Sequence, residues 1–346
     1  MVRSLHRLVI ALLLCFPLTA AAVSTAESPP PRPRVAILMF DGVEIIDYSG
    51  PYEVFGAAGY EVYTVAQTKA PVTTAMGLTV VPKYEFSDMP PPDILVVPGG
   101  NITQPRNDPR TLDWIRQTTA TVKHTMSVCN GAVILADSGL LNGLSATATD
   151  HWIPQMRKAY AQIHVVDDQR FVDNGKIITT AGLSAGIDGA LHVVQIMNGR
   201  SDAQRVALGL EYDWRPDRPF VRAALADKQF PDFDLQPIGG WTLSDTAGDR
   251  GHWRISFEGG KGRTASEIMA YVAERLRTDG KWTRVPGGNS DHRASSSWTF
   301  TGRDGHSWNG RVTVEPMKTA SSDYQLVLAI ARRDEAGEIR KPEEKP

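Results

Sequence analysis

The fold is decided by the stretch Lys123-His124-Thr125-Met126-Ser127-Val128-Cys129-Asn130-Gly131-Ala132-Val133-Ile134-Leu135. Its first half predicts a short strand, and its second half, apolar from Ala132 to Ala136, predicts a helix that ends near Gly139. Cys129 stands at the junction, and Gly131 lets the backbone turn sharply. A side chain at such a turn projects from the carboxyl edge of the sheet, beside the free N–H groups of the helix.

Two interpretations of Cys129 compete. The N–H groups of the following helix favour thiolate over thiol, so we expect a thiol more acidic than that of a free cysteine, and hence a nucleophile. The alternative is a buried and inert cysteine. The first is favoured because Cys15 falls within a predicted leader, which leaves one cysteine in an exported chain, where structural cysteines normally pair.

The N-terminus has the pattern of a secretory signal peptide. Arg3, His6 and Arg7 precede an apolar run, Leu8 to Ala22, that ends in small residues. Pro17 interrupts this short run, so we expect no stable membrane insertion after cleavage and an exported protein, periplasmic or secreted. The predicted organisation is a signal peptide (1–22), a linker (23–33), an α/β domain (34–234), a small α+β domain of unassigned role (235–331) and a charged, disordered tail (332–346).

Composition narrows the classes of function. The 346 residues are 42% hydrophobic and 22% charged, with a formal net charge of -2, a balance that gives no sign of nucleic-acid binding. The sequence shows no Walker loop, dinucleotide fingerprint or metal-ligand spacing, so we expect neither cofactor nor metal. The expected partner is a small-molecule substrate, and a homodimer is left open.

Apolar runs alternate with helical patterns in the first part of the chain. Arg34–Phe40 and Asp93–Val97 are continuous apolar runs, typical of strands buried on both faces of a parallel sheet. Gly50-Pro51 is predicted to open a helix with proline at its first position, which places Glu53 in the first turn. The alternation predicts a doubly wound α/β sandwich whose ligands bind at the carboxyl edge of the sheet.

The pattern changes after Leu235. Trp253, Ile255 and Phe257 alternate with polar residues, as in a half-exposed strand, and more strand patterns follow. Thr264-Ala265-Ser266-Glu267 is a capping box at the start of an amphipathic helix. These features predict a separate α+β domain.

Two glycines are predicted to lie near Cys129. Gly99 and Gly100 follow a buried strand, where glycine lets backbone N–H groups approach a ligand closely. Together with the N–H groups that follow Cys129, they are candidates for an oxyanion site.

A nucleophilic thiol also needs a proton partner. Asp47 and Glu53 are the candidates from the first strand-to-helix connection, provided that burial raises the pKa of one of them towards neutrality. Glu53 has a simpler role available, compensation of the helix dipole. His151, at the start of another predicted helix, is a third candidate, and a capping or solvated histidine is about as good an account of it.

The segment Gly182-Leu183-Ser184-Ala185-Gly186 matches the G-x-S-x-G motif of serine hydrolases. Ser184, Asp188 and His192 fall on one face of the predicted helix. At 1.5 Å of rise per residue, however, Ser184 and His192 stand about 12 Å apart, so one helix cannot form that triad. We therefore interpret Ser184 as a helix N-cap.

Several segments between about Arg34 and Trp214 together resemble the ThiJ/PfpI superfamily. They are Asp47-x-x-Gly50-Pro51-x-Glu53-Val54-Phe55, Val97-Pro98-Gly99-Gly100, Ser127–Gly131, Gly139–Leu141, Ala148–Trp152, Thr180–Asp188 and Glu211–Asp213. The resemblance implies a flavodoxin-like three-layer sandwich with a cysteine on a nucleophile elbow. The branch is similar to isonitrile hydratases and to amidase-like sensor domains of AraC-type regulators. It implies that Cys129 adds to an isonitrile or similar carbon while Asp47 relays the proton.

The chain departs from this pattern at informative places. Asn130 replaces the threonine usual in isonitrile hydratases, which makes it a candidate for substrate binding and leaves the substrate open. The protease-like branch carries histidine there. His192-Val193-Val194 lacks the acid that glutamine amidotransferases place after their late histidine. An essential Glu53, in place of Asp47, would make the site resemble the deglycase branch.

The sequence therefore predicts a cysteine-dependent hydratase or hydrolase acting on a small carbon–nitrogen or carbonyl substrate. The alternative is a non-catalytic ligand-binding or stress-response protein that retains the family pocket.

Overall fold

The structure, a computed structural model, describes residues 31–217, 222–232, 234–286, 294–317 and 324–333. The predicted signal peptide, most of the predicted linker and nearly all of the predicted tail lie outside these ranges. Within them, no helix combines the length and apolar character that a membrane span requires.

Strands and helices alternate in the first part of the chain. The strands are β1 (Arg34–Leu38), β2 (Glu61–Ala66), β3 (Val72–Thr73), β4 (Thr79–Val80), β5 (Tyr84–Glu85), β6 (Ile94–Val97), β7 (His124–Ser127), β8 (Ser145–Ala146), β9 (His164–Val165), β10 (Phe171–Asp173) and β11 (Ile177–Thr180). The helices are α1 (Ile45–Ala57), α2 (Thr103–Asn107), α3 (Pro109–Thr121), α4 (Gly131–Asp137), α5 (Ile153–Ala159), α6 (Ala185–Asn198) and α7 (Arg200–Gly209).

One sheet organises this region. Its order in the described part of the chain is β10-β11-β7-β6-β1-β2-β5, and only β10 runs antiparallel to its neighbour. The central strands β1, β6 and β7 are almost entirely buried; continuous apolar runs predict this for β1 and β6, whereas β7 buries Thr125 and Ser127 along with Met126. The α/β sandwich predicted from the sequence is confirmed, and the carboxyl ends of β6, β7 and β11 meet at the same edge.

Helix α1 begins earlier than the sequence predicts. It starts at Ile45, so Pro51 lies inside the helix and the backbone bond that its missing N–H would make to Asp47 is absent. The first turn of the helix, before Gly50, nevertheless forms, because the helical conformation there buries the side chains of Asp47 and Tyr48. Gly50 permits close packing there, since a Cβ at this position would lie 3.1 Å from Cγ1 of Ile187 on α6. Tertiary burial therefore outweighs the local proline signal.

The C-terminal region forms a second sheet with one helix. Its elements are β12 (Trp241–Gly248), β13 (His252–Gly259), α8 (Ala265–Thr278), β14 (Thr283–Val285), β15 (Ala294–Thr301), β16 (Ser307–Pro316) and β17 (Tyr324–Arg332). The order β12-β13-β17-β16-β15-β14 is antiparallel throughout. Thr264 and Glu267 form the predicted capping box at the start of α8. The two edge strands, β12 and β14, have no clear sequence pattern and are not among the predicted strands.

The two regions have separate hydrophobic clusters. The first contains buried residues from Val35 to Trp214, and the second contains buried residues from Ala226 to Ile330. Ala226 and Phe230 belong to the second cluster, although the predicted boundary after residue 234 assigns them to the α/β domain. Independent folding of the C-terminal domain stays a prediction.

Candidate active site

Cys129 occupies the tight turn between β7 and α4. Its φ of 60° lies in the left-handed region, which is uncommon for a residue with a side chain and is typical of a strained functional turn. The Cys129 N–H donates to the Ala181 carbonyl at 3.2 Å, at the end of the neighbouring strand β11. Gly131 is required at the start of α4, because a Cβ there would lie 2.1 Å from the Val97 carbonyl oxygen.

The Asp47 side chain, from helix α1, contacts the Cys129 thiol. Its side chain is fully buried in the first turn of α1, and its Oδ2 accepts a hydrogen bond from the Gly99 N–H at 3.1 Å. The carboxyl lies within hydrogen-bonding reach of the Cys129 thiol. Its Oδ1 is buried and makes no hydrogen bond of regular geometry among the residues described, although the Leu183 N–H and the Cys129 thiol both lie close enough to the carboxyl to lower its pKa. A buried polar oxygen without a partner is costly unless a ligand or proton engages it.

Burial changes the ionisation of both groups. Loss of hydration raises the pKa of Asp47 to about 7, although hydrogen bonds with Cys129 and Gly99 act in the opposite direction. Burial, with the negative charge of Asp47 added, raises the pKa of the Cys129 thiol to about 12. The expectation of an acidic thiol is therefore wrong for this structure. Hydrogen bonds from the Asn130 N–H and the Thr149 hydroxyl lower the thiol pKa, but by less than burial raises it.

Asn130 ties the turn to the glycine pair. Its Oδ1 accepts from the Gly100 N–H at 2.8 Å, and its Nδ2 donates to the Gly100 carbonyl at 2.9 Å. The Gly99 N–H is already bonded to Asp47, so neither glycine N–H is available for the predicted oxyanion site. Glycine is needed at position 99 for space instead, because a Cβ there would lie 2.1 Å from the Asn130 Oδ1.

Glu53 and His151 are not brought to Cys129. Glu53 lies on the exposed face of α1, well beyond its first turn, and His151 is exposed in the short 3-10 turn Asp150–Trp152. Neither has a side-chain hydrogen bond or ion pair within the described ranges. Thr149, just before that turn, contacts the thiol in place of His151. The residues alone did not predict this role; its only sequence signal was membership of the family segment Ala148–Trp152.

The G-x-S-x-G segment forms a different kind of turn. Ser184 is exposed at the N-cap of α6, and its Oγ makes no capping bond but accepts from Arg170 at 3.3 Å. Asp188 is buried against Arg170, and His192 bonds Asp173 at 2.9 Å. Ser184, Asp188 and His192 therefore belong to separate interactions and do not form a triad.

A cavity of about 280 Å³ lies near the turn that carries Cys129, and neither Cys129 nor Asp47 is among its lining residues. Thr149, Ala181 and Leu183 line it, and the first two contact Cys129, so they separate the cavity from the thiol. Residues Arg222 and Leu225, from the segment that leads to the C-terminal domain, also line it. The volume suits a small molecule. In the described parts of the chain, no group of three or more histidine, cysteine or acidic residues has the arrangement of a metal site.

A flavodoxin-like sandwich with a buried cysteine at the turn after a central parallel strand defines the class of nucleophile-elbow proteins. The sequence profile of the DJ-1/PfpI family matches residues 33–196. The chain belongs to the DJ-1/PfpI family.

Individual relatives span several functions. The chain is 37% identical over 190 residues to the isonitrile hydratase of Pseudomonas putida, covering 54% of this chain and 81% of that protein. It is 25% identical to protein/nucleic acid deglycase 2 of Escherichia coli (strain K12), covering 42% and 87% respectively. A crystal structure of a ThiJ/PfpI family protein from Pseudomonas syringae matches with a TM-score of 0.50 and 30% identity, over 58% of this chain and 86% of that one. The C-terminal sheet domain lies beyond the matched family segment.

Proposed function

We propose that the protein is a cysteine-dependent hydratase of small, neutral isonitriles. The observation that carries the proposal is the buried Asp47 carboxyl, whose pKa of about 7 makes it both a proton donor and a proton acceptor near neutral pH. The carboxyl is hydrogen-bonded to the Cys129 thiol, so a proton can pass directly between the two groups. The similarity to an isonitrile hydratase supports this choice over other activities in the family.

The pair supplies the chemistry of hydration. Asp47, as the acid, protonates the terminal carbon of the isonitrile, and the Cys129 sulfur bonds to that carbon while its own proton passes to the Asp47 carboxylate. The product of this step is a thioimidate on Cys129. Water then adds to the same carbon, the nitrogen takes a proton, and the carbon–sulfur bond breaks. The thiol is regenerated and an N-substituted formamide leaves, so one isonitrile and one water are consumed.

The raised thiol pKa fits this order of events. The thiol remains protonated until Asp47 has given its proton to the substrate and become a carboxylate, which can then accept the thiol proton. The nucleophile is therefore formed only when the electrophile is present. Thr149 and the Asn130 N–H, which contact the sulfur, stabilise the charge that develops there.

The cavity favours an uncharged substrate. Each charged side chain in its lining has a partner of opposite charge: Asp150 with Lys228, Asp167 with Arg157, Arg170 with Asp188, and Arg222 with Asp227. Such pairs leave little net field for an ionic ligand. Ile153, Ala185 and Leu225 provide the apolar surface on which an alkyl group can pack.

The decisive experiment measures formamide production from short alkyl isonitriles by the full chain, with Cys129→Ala as the control and a glyoxal as the alternative substrate. We expect turnover that falls as the pH rises through about 7, because the acid form of Asp47 is lost. Consumption of glyoxal without isonitrile turnover would contradict the proposal in favour of a deglycase.

A second candidate is a non-catalytic ligand-binding or stress-response protein. The raised pKa of the Cys129 thiol is the observation in its favour, since a thiol that stays protonated is a poor nucleophile without an activating partner. No activity above the Cys129→Ala control on either substrate class, together with binding to the cavity, would support this candidate.

We further propose that residues 1–22 direct export, on the strength of their basic start, apolar run and small terminal residues. Fractionation of cells that express the full chain, with mass measurement of the mature N-terminus, tests this. Retention of an uncleaved chain in the cytoplasm would contradict it.

A further inference from the structure

The segment of residues 222–232, called the strap here, connects the two sheet domains and borders the cavity. Leu225 in the strap is 7% exposed, yet it belongs to neither hydrophobic cluster. It lines the cavity with Arg222. A buried leucine whose surroundings include a cavity is placed to pack against whatever occupies that cavity.

The strap is fixed to both domains. On the C-terminal side, Ala226 and Phe230 pack in the second hydrophobic cluster, and the Ala226 N–H donates to the Asp249 carbonyl at 2.8 Å. On the sandwich side, Lys228 forms an ion pair with Asp150, the residue after Thr149. These contacts hold Leu225 in place from both sides.

The strap is also braced internally. Arg222 bonds both carboxylate oxygens of Asp227, at 2.6 and 2.5 Å, and the planar fork of two bonds fixes the guanidinium orientation. Arg222 is therefore held in the cavity wall as part of a neutral pair, and Leu225 is the apolar group that the strap presents there.

We propose that the strap is a wall of the substrate pocket and that Leu225 limits the size of the molecule that reaches Cys129. This rests on the proposed function for the choice of substrate, and it assigns to the C-terminal extension a role in specificity. Leu225 would touch the substrate directly. Lys228 and Asp150 are positioning residues, because they act only by holding the strap.

The first test compares Leu225→Ala with Leu243→Ala in the full chain, on alkyl isonitriles of increasing size. Leu243 is an exposed leucine on β12, outside the cavity, and serves as the matched control. We expect Leu225→Ala to raise kcat/KM for the bulkiest substrates about 10-fold or more relative to the smallest, mainly through KM. A uniform change over the series, or the same change in Leu243→Ala, would overturn the proposal.

The second test does not depend on turnover. The rate at which Cys129 is alkylated by a small reagent, iodoacetamide, is compared with the rate for a bulky aryl maleimide, with the Cys129 peptide followed by mass spectrometry. We expect Leu225→Ala to raise the bulky-to-small ratio about 10-fold and Leu243→Ala to leave it unchanged. Absence of isonitrile turnover with a shifted ratio would reject the proposed function and retain the strap as a size filter. An unshifted ratio would overturn the filter itself.

The positioning role of Lys228 has its own signature. Lys228→Met should weaken the hold on the strap and raise the same alkylation ratio, while Lys228→Arg, which keeps the ion pair, should restore the wild-type ratio. Equal ratios in wild type, Lys228→Met and Lys228→Arg would contradict the assigned positioning role.

Discussion

Two strand-to-helix turns lie side by side at the same edge of the sheet, one at Cys129 and one at Ser184. Ser184 lies in a known nucleophile motif, but Cys129 has the backbone conformation of a nucleophile elbow. At the first turn the positive φ of 60° falls on Cys129 itself, whereas at the second the positive φ of 52° falls on Leu183, one residue before the serine. Cys129 is buried and Ser184 is exposed. The residue that takes the strained conformation, rather than the sequence motif, therefore marks the better candidate for a nucleophile.

The side chains that contact Cys129 and Ser184 also differ in whether they can take up a proton. The cysteine meets a buried carboxyl with a raised pKa, which can exchange a proton near neutral pH. The serine meets the Arg170 guanidinium, which stays charged and cannot act as a base. Only the first turn therefore has a partner that can activate a nucleophile.

The largest effect should separate the two nucleophile candidates. Cys129→Ala is expected to lower isonitrile turnover by at least about 10³-fold, because it removes the atom that bonds to the substrate. Ser184→Ala should lower turnover by less than about 10-fold, since its hydroxyl lines the cavity and accepts a bond from Arg170 but does not bond to the reacting carbon. Steady-state assays on both variants, with circular dichroism as the folding control, test this. Equal losses of turnover in Cys129→Ala and Ser184→Ala would contradict the assignment of Cys129, rather than Ser184, as the nucleophile.

The proton partner comes next. Asp47→Asn is expected to lower turnover by about 10²–10⁴-fold while leaving the thiol free to react with alkylating reagents, because an amide cannot donate the proton. The remaining activity should lose the decline near pH 7 that Asp47 causes in the wild type. A pH–rate profile that keeps this decline in Asp47→Asn would show that another group titrates there.

The same substitution should stabilise the fold at high pH. The pKa of Asp47 rises from 3.8 to about 7 on folding, so the folded state holds a proton that the unfolded state releases. Stability from this group is present below about pH 4 and is lost as the pH rises to about 7. At about 1.4 kcal/mol per pKa unit, Asp47→Asn should gain up to about 4 kcal/mol at pH 8 and little at pH 4. Urea unfolding at both pH values measures it, and equal gains at both would contradict the burial argument.

A smaller effect concerns the residue that follows each nucleophile candidate. Asn130 makes two hydrogen bonds with Gly100, whereas Ala185 after Ser184 can make none with its side chain. Asn130→Ala is expected to cost about 1–2 kcal/mol of unfolding free energy, since two partly buried backbone groups of Gly100 lose their partner. Asn142→Ala, at an exposed asparagine, is the control and should stay within about 0.5 kcal/mol. Similar losses in Asn130→Ala and Asn142→Ala would show that the hydrogen bonds between Asn130 and Gly100 add nothing to stability.

The smallest effect is expected at Glu53. The sequence placed it in a first helical turn, where Glu53→Gln would lower the melting temperature, but the helix begins at Ile45 and Glu53 lies past its middle. The dipole effect is confined to the first turn, so the substitution should change stability by less than about 0.5 kcal/mol and leave turnover unchanged. Thermal unfolding and a rate assay decide this, and a large loss of rate would move the site towards the deglycase type.

Local patterns predicted what depends on local chain properties. The buried parallel strands, the turn at Cys129 and the capping box at Thr264 follow from apolar runs, glycine spacing and capping chemistry, and the structure confirms them. The family resemblance added the choice of Asp47 as the proton partner, and the structure places that residue beside the thiol.

The errors arose where distant segments meet. The start of α1 depends on burial of Asp47 and Tyr48 against the sheet, which no proline rule includes. The thiol pKa depends on how far several segments together exclude water from Cys129. The prediction of an acidic thiol considered only the helix N-terminus and was therefore wrong. Leu225 enters the cavity from a segment far along the chain that has no motif of its own.

The protonated state of Cys129 also has a consequence for the lifetime of the protein. Peroxides oxidise thiolates to sulfenic and then irreversible sulfonic acids, and they attack protonated thiols far more slowly. A thiol with a pKa of about 12 stays protonated, and under the proposed mechanism it would lose its proton to Asp47 only during reaction, so it would be spared between turnovers. Cys129 is also the only cysteine in the described residues, so no internal disulfide there can consume it. The burial that raises the thiol pKa would thus also protect the sulfur from oxidation until the proposed substrate activates it.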